Sequence, residues 1–184
     1  MKIVCIGDSL TFGYGVRKDK CWVSILNSNT KLEILNKGTN GDTSVGILSR
    51  FFKDVVLYSP TVCTILCGSN DLLLGKEVDA IIANISLMIK DCELKGIVPI
   101  IISPPKILSD LSSLLWSNDI NYDIVNSKLK ELNEKLLAFC NENSINFISL
   151  YTLLPLDKMY YTDGLHLSES GNEYIYNIIK EKLA

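Results

Sequence analysis

Five short apolar runs, separated by longer stretches with helical spacing, constrain this chain more than any other feature. The runs are Lys2–Gly7, Leu32–Asn36, Val62–Cys67, Val98–Ser103 and Asn146–Ser149. They are rich in Ile and Val and do not alternate with polar residues, the pattern of strands buried on both faces of a parallel sheet. Between them, Val78, Ile81, Ile82, Ile85, Met88, Ile89 and Cys92 recur at helical spacing, as do Val125, Leu129, Leu132, Leu136 and Phe139. Ile175, Ile178, Ile179 and Leu183 repeat the pattern near the end of the chain, with Ser170 and Glu173 spaced as a capping box. No stripe lasts several heptads, so each reads as a helix packed on a sheet rather than a coiled coil. Strands alternating with helices predict an α/β fold with right-handed crossovers. A length of 184 residues predicts one domain, residues 1–184, with a sizeable core. Pro104–Asn121 is the one long stretch that reads as irregular.

In open parallel sheets, ligands bind at the carboxyl ends of the strands. The first run exits into Gly7-Asp8-Ser9-Leu10 and the second into Gly38-Thr39-Asn40-Gly41-Asp42-Thr43-Ser44. The third exits into Gly68-Ser69-Asn70-Asp71. His166, the only histidine, follows Asp163 in a loop before the last helical pattern. Gly, Asn, Asp and Ser are ordinary turn formers, but here they gather on one expected edge. A serine hydroxyl needs a neighbouring base to act as a nucleophile. An imidazole, titrating at about 6.5 when unperturbed, suits that task near neutrality. Ser9 is therefore a candidate nucleophile and His166 its candidate base.

Other classes of function are disfavoured. The chain is 47% hydrophobic and 21% charged, with a net charge of -3. Its 18 basic residues are scattered, which predicts no nucleic-acid partner. Met1-Lys2 leads directly into Ile3–Ile6, too short for a secretory apolar region, and no apolar run approaches a membrane span. A cytoplasmic location without an integral membrane segment is the expectation. Cys5, Cys21, Cys63, Cys67, Cys92 and Cys140 lie mostly inside apolar patterns and read as buried free thiols. One histidine and no paired CxxC give a zinc site poor support, and no metal is expected.

The four segments together resemble the SGNH hydrolases, also called the GDSL lipase/acylhydrolase family. Gly7-Asp8-Ser9-Leu10 resembles the first family block and Gly38–Thr43 the second. Gly68-Ser69-Asn70-Asp71 resembles the third, and Asp163-Gly164-Leu165-His166-Leu167 the last. The second block and the size are similar to bacterial lysophospholipase- and thioesterase-type members. The resemblance implies a three-layer α/β/α sandwich with a five-stranded parallel sheet, flavodoxin-like in form. It implies Ser9 as nucleophile, His166 as general base and Asp163 as the residue that orients it. It also implies an oxyanion hole made by the N–H groups of Ser9 and Gly41 and the side-chain amide of Asn70. Asp8, Asp42 and Asp71 read as turn stabilisers.

The expected activity is hydrolysis of a small acyl ester or thioester through a Ser9 acyl-enzyme, with no cofactor. A sugar O-acetyl ester would suit the same site. Two further readings stay open: a flavodoxin-like loop binding a phosphate or flavin at Gly7–Gly13, and an inactive relative acting as a binding module. Walker and GxGxxG motifs are absent. Leu72, Leu73, Leu108 and Trp116 either line an acyl pocket or pack in the core or a lid. Tyr161 either meets a polar substrate group or packs. Oligomeric state is not legible.

Overall fold

The computed structural model describes residues 1–183; Ala184, the last residue of the expected domain, lies outside them. Five strands form one sheet: β1 (Lys2–Gly7), β2 (Glu33–Gly38), β3 (Val62–Leu66), β4 (Val98–Ser103) and β5 (Asn146–Ser149). Their order across the sheet is β2-β1-β3-β4-β5, and every neighbouring pair is parallel.

Among the described residues the α-helices are α1 (Ser9–Phe12), α2 (Trp22–Ser28), α3 (Ser44–Asp54), α4 (Ser69–Leu73), α5 (Val78–Leu94), α6 (Ser109–Leu115), α7 (Tyr122–Glu142), α8 (Leu150–Leu153) and α9 (Glu169–Leu183). Successive strand side chains point to opposite faces, and the two resulting cores follow that rule. Val4, Ile6, Cys63, Ile65 and Ile101 pack against Ile47 and Phe51 of α3, Ile85 and Met88 of α5, and Leu132 and Leu136 of α7. Ile3, Cys5, Leu66, Ile100 and Ile102 pack against Trp22 and Leu26 of α2 and Ile175 and Ile179 of α9. The result is the expected α/β/α sandwich, and all six cysteines are buried free thiols.

Several boundaries differ from the sequence expectation. β2 runs to Gly38 rather than Asn36 because backbone pairing with β1 continues through Lys37↔Ile6 and Gly38↔Gly7. It is also an edge strand with only Ile34 buried, not one covered on both faces. Pro104–Asn121 is not wholly irregular, since it contains α6. The cap of α9 is Ser168, whose Oγ accepts from Gly171 N–H at 3.1 Å, not Ser170.

The sheet order reverses at β1: the chain first adds β2 on one side, then β3 and its successors on the other. Loops leaving β1 and β3 diverge at such a switch point and leave a crevice. Ser9 follows β1 and Asn70 follows β3, so the topology alone sets both beside that crevice.

Candidate active site

Ser9 opens α1, immediately beyond β1. Its Oγ lies 3.1 Å from His166 Nε2. The other ring nitrogen, Nδ1, lies 2.8 Å from Asp163 Oδ2. Asp163 Oδ1 accepts from the backbone N–H groups of Leu165 at 3.0 Å and His166 at 2.7 Å. One carboxylate thus organises both the loop and the ring that the loop carries. Burial pushes the Asp163 carboxyl upward, but hydrogen bonds from the His166 ring and backbone outweigh it and hold it below its ordinary pKa. Ser9 and His166 are almost wholly buried, at 8% and 4% exposure, so their contact is shielded from competing water. A hydroxyl, an imidazole and a carboxylate linked in this order can pass a proton from oxygen to nitrogen while the carboxylate stabilises the charged ring.

Polar donors follow the ends of β1, β2 and β3 at Ser9, Gly41 and Asn70. Among the described residues, the turn and cap hydrogen bonds leave Ser9 N–H and Gly41 N–H without a backbone acceptor. Gly41 has φ +74°, and a Cβ there would meet nothing within 4 Å. The position favours glycine for its left-handed backbone and not for lack of space. Asn70 Nδ2 donates to Asp42 O at 2.8 Å, which fixes the amide while its second hydrogen stays available.

The remaining acidic residues hold backbone in place. Asp71 accepts from Ser44 N–H at 2.8 Å and from the Ser44 hydroxyl at 2.6 Å, joining α4 to the start of α3. Asp8 caps α1, accepting from Leu10 N–H at 2.9 Å. That contact takes a helix-terminal amide that a bound phosphate would need. Asp8 Oδ2 is buried with no partner. Burial pushes this carboxyl up to about 7, against the smaller opposing effects of the Leu10 hydrogen bond and nearby His166.

Arg50 was invisible as a site residue in the sequence. Its Nε donates to Asp42 Oδ2 at 2.7 Å, and its Nη1 donates to Lys37 O at 2.9 Å and Asp54 Oδ2 at 3.0 Å. Nη2 donates to Gly7 O at 3.0 Å. One guanidinium therefore ties the end of β1, the end of β2 and the turn carrying Gly41. α3, 11 residues long and so about three turns, carries Arg50 to the strand exits, and no local motif marks the residue.

The expected substrate-lining residues divide. Leu72 is buried in the core on the α5 and α7 side, and Leu73 packs against that core. Leu108 packs on the opposite core. Tyr161 is 4% exposed and donates its hydroxyl to Lys106 O at 2.8 Å. These side chains serve packing and do not form one pocket wall. Trp116 alone of the group meets the site, with its ring 5.0 Å from the His166 imidazole.

A buried hydroxyl–imidazole–carboxylate chain at the switch point of a doubly wound sheet is the equipment of enzymes that attack ester carbonyls. The chain belongs to the GDSL-like lipase/acylhydrolase family, whose profile matches residues 5–174, and it is an ester-bond hydrolase. It is 26% identical over 190 residues to an arylesterase of Vibrio mimicus, covering 99% of this chain and 88% of that protein. It is 28% identical over 203 residues to the mouse isoamyl acetate-hydrolyzing esterase 1 homolog, covering 95% and 78% respectively. The crystal structure of a G-D-S-L family lipolytic protein from Veillonella parvula superimposes with a TM-score of 0.84 at 25% identity, covering 98% and 97% of the two chains. Among the described residues, no helix is long and apolar enough to cross a membrane.

Two predictions follow from the supporting groups. Replacing Arg50 with Met leaves Asp42 and Asp54 without their guanidinium. It should destabilise the fold by about 3 kcal/mol and lower kcat roughly 100-fold through displacement of the Gly41 turn. Arg50→Lys, which keeps the charge but not the fork, should recover only part of the activity. Steady-state kinetics with thermal melts check this. The Asp8 carboxyl, raised in the folded chain, retains a proton between about pH 4 and 7 that the unfolded chain has released. Its contribution is complete below pH 4 and is lost as pH rises to 7, by up to roughly 4 kcal/mol. Asp163, shifted in the opposite direction, acts below this window. Urea denaturation across pH 4 to 8 should show wild type losing stability relative to Asp8→Asn, and parallel curves would contradict the assignment.

Proposed function

We propose that this chain hydrolyses small carboxylic esters, or thioesters of similar size, through an acyl-enzyme on Ser9. The observation that carries the proposal is the 3.1 Å approach of His166 Nε2 to Ser9 Oγ, with Asp163 2.8 Å behind the ring. In this reading His166 takes the hydroxyl proton as Oγ attacks the carbonyl carbon. Asp163 holds the ring in the needed tautomer and stabilises the imidazolium. The oxyanion is received by the N–H groups of Ser9 and Gly41 and the free amide hydrogen of Asn70. His166 then gives its proton to the leaving group. It next activates a water that releases the acid and restores Ser9. No step calls for a metal or cofactor.

Similarity to isoamyl acetate-hydrolyzing esterase 1 homologs supports esters of short acids over long-chain lipids. A sugar O-acetyl ester presents the same short acyl group. Lysophospholipid and long acyl thioester substrates have less support, because Leu72, Leu73 and Leu108 pack into two separate cores rather than one acyl channel.

Ser9→Ala should abolish both p-nitrophenyl acetate hydrolysis and labelling by a fluorophosphonate probe. Labelling that persists in this variant would move the nucleophile elsewhere. Asn70→Ala should lower kcat by roughly 100- to 1000-fold with KM much less affected, as expected for a group that binds the developing oxyanion. A normal kcat would remove Asn70 from the mechanism.

A further inference from the structure

Two aromatic rings stand over the imidazole on the solvent side. The Tyr14 ring lies 4.4 Å from the His166 ring at 44°, and the Trp116 ring lies 5.0 Å from it at 61°. The two rings meet each other edge-to-face at 6.4 Å and 87°. His166 is 4% exposed, but Tyr14 and Trp116 are 42% and 47% exposed. Large aromatics left this open, against a nearly buried ring, offer apolar surface to whatever enters beside that ring.

Both rings have fixed footings. The backbone N–H of Tyr14 donates to Ser9 O at 3.1 Å, so its ring starts from the proposed nucleophile's own turn. Trp116 caps the C-terminal end of α6, and its N–H donates to Ser112 O at 2.9 Å. The start of α6 is joined to the histidine loop by Leu108 N–H to Gly164 O at 2.8 Å. Gly164, at φ +88°, lies so close to Ser112 that a Cβ would collide with it.

Which part of a substrate these rings meet follows from the direction of proton transfer. In acylation the bond from Ser9 Oγ to the carbonyl carbon forms, and the bond from that carbon to the leaving oxygen breaks. The proton taken from Ser9 Oγ by His166 Nε2 is delivered to the leaving oxygen, which departs as an alcohol. The leaving oxygen must therefore lie on the His166 side, while the carbonyl oxygen turns toward Gly41 and Asn70. The group attached to the leaving oxygen passes the imidazole between Tyr14 and Trp116. We infer that these two residues form a leaving-group subsite that selects esters of planar, apolar alcohols, and that neither ring measures acyl length. The inference rests on the proposed roles of Ser9 and His166.

The test compares leaving groups of similar intrinsic reactivity at constant acyl group: benzyl acetate against ethyl acetate. A second series holds p-nitrophenol constant and lengthens the acyl group from acetate to octanoate. Trp116→Ala and Tyr14→Ala should each lower the benzyl-to-ethyl ratio of kcat/KM by about 3- to 10-fold. The relative rates along the acyl series should keep their wild-type order and spacing. Trp116→Phe, retaining a ring, should restore most of the ratio. Circular dichroism and melting temperature show that each variant is folded. An equal loss on benzyl and ethyl esters would overturn the inference and give the rings the role of stabilising imidazolium. A loss that grows with acyl length would overturn it in favour of an acyl subsite. Ser9→Ala, run in parallel, separates the two levels: activity that survives there refutes the Ser9 mechanism itself.

Discussion

Burial of the sheet on both faces is the constraint from which the rest of this structure descends. β1 and β3 are enclosed between α3, α5 and α7 on one side and α2 and α9 on the other. An unpaired polar side chain is costly in such an interior, so the interior of these strands is almost wholly apolar, with Thr64 the buried exception. Polar chemistry is left to the strand ends. At the carboxyl end the chain order reverses between β2 and β3, and the loops part around β1. Ser9, the Gly41 turn and Asn70 follow the carboxyl ends of β1, β2 and β3, so the topology brings all three to one edge of the sheet.

Opening a crevice does not by itself orient the groups around it. Gly7 O accepts from both Thr39 N–H and Arg50, while Asp42 accepts Arg50 at its carboxylate and Asn70 at its carbonyl. The end of β1, the turn after β2 and the helix after β3 are therefore one hydrogen-bonded body. Donors aimed at a developing oxyanion act through being already in place, and in the proposed mechanism this shared network would hold Gly41 and Asn70 before substrate arrives. Arg50 suits the task because its planar fork reaches two backbone carbonyls and two carboxylates at once.

The parts of this arrangement that the sequence made legible are those written as local pattern. The runs at Lys2–Gly7, Val98–Ser103 and Asn146–Ser149 match their strands to the residue, and the stripes from Val78 and Val125 mark α5 and α7. β2 extended further because its length is decided by pairing with β1, a partner that no local window contains. Ser9 and His166 stood out by residue type, and their contact needed the fold. Residue type alone did not separate the four loop aspartates; only the family resemblance singled out Asp163 and left Asp8, Asp42 and Asp71 as turn stabilisers. Three-dimensional bonding then separates a ring partner at Asp163 from a helix cap at Asp8, a guanidinium partner at Asp42 and a clamp on Ser44 at Asp71. Arg50 and Tyr14 escaped notice because a charged residue on a helix and a tyrosine in a glycine-rich turn are ordinary in isolation.

The two sides of the site differ in how they are built, and the difference bears on how specificity can change. On the proposed oxyanion side, the donors would be backbone groups and a tethered amide, linked through Arg50 to two strand ends. A substitution there disturbs groups that every ester would use. On the imidazole side, Tyr14 and Trp116 present side-chain surface from footings that join the Ser9 turn and the His166 loop. Their rings can be exchanged with little change to those backbone contacts. Under the proposed mechanism, reaction type is lodged in the backbone network and leaving-group preference in two half-exposed side chains, so the second can be altered with much less disturbance to the first.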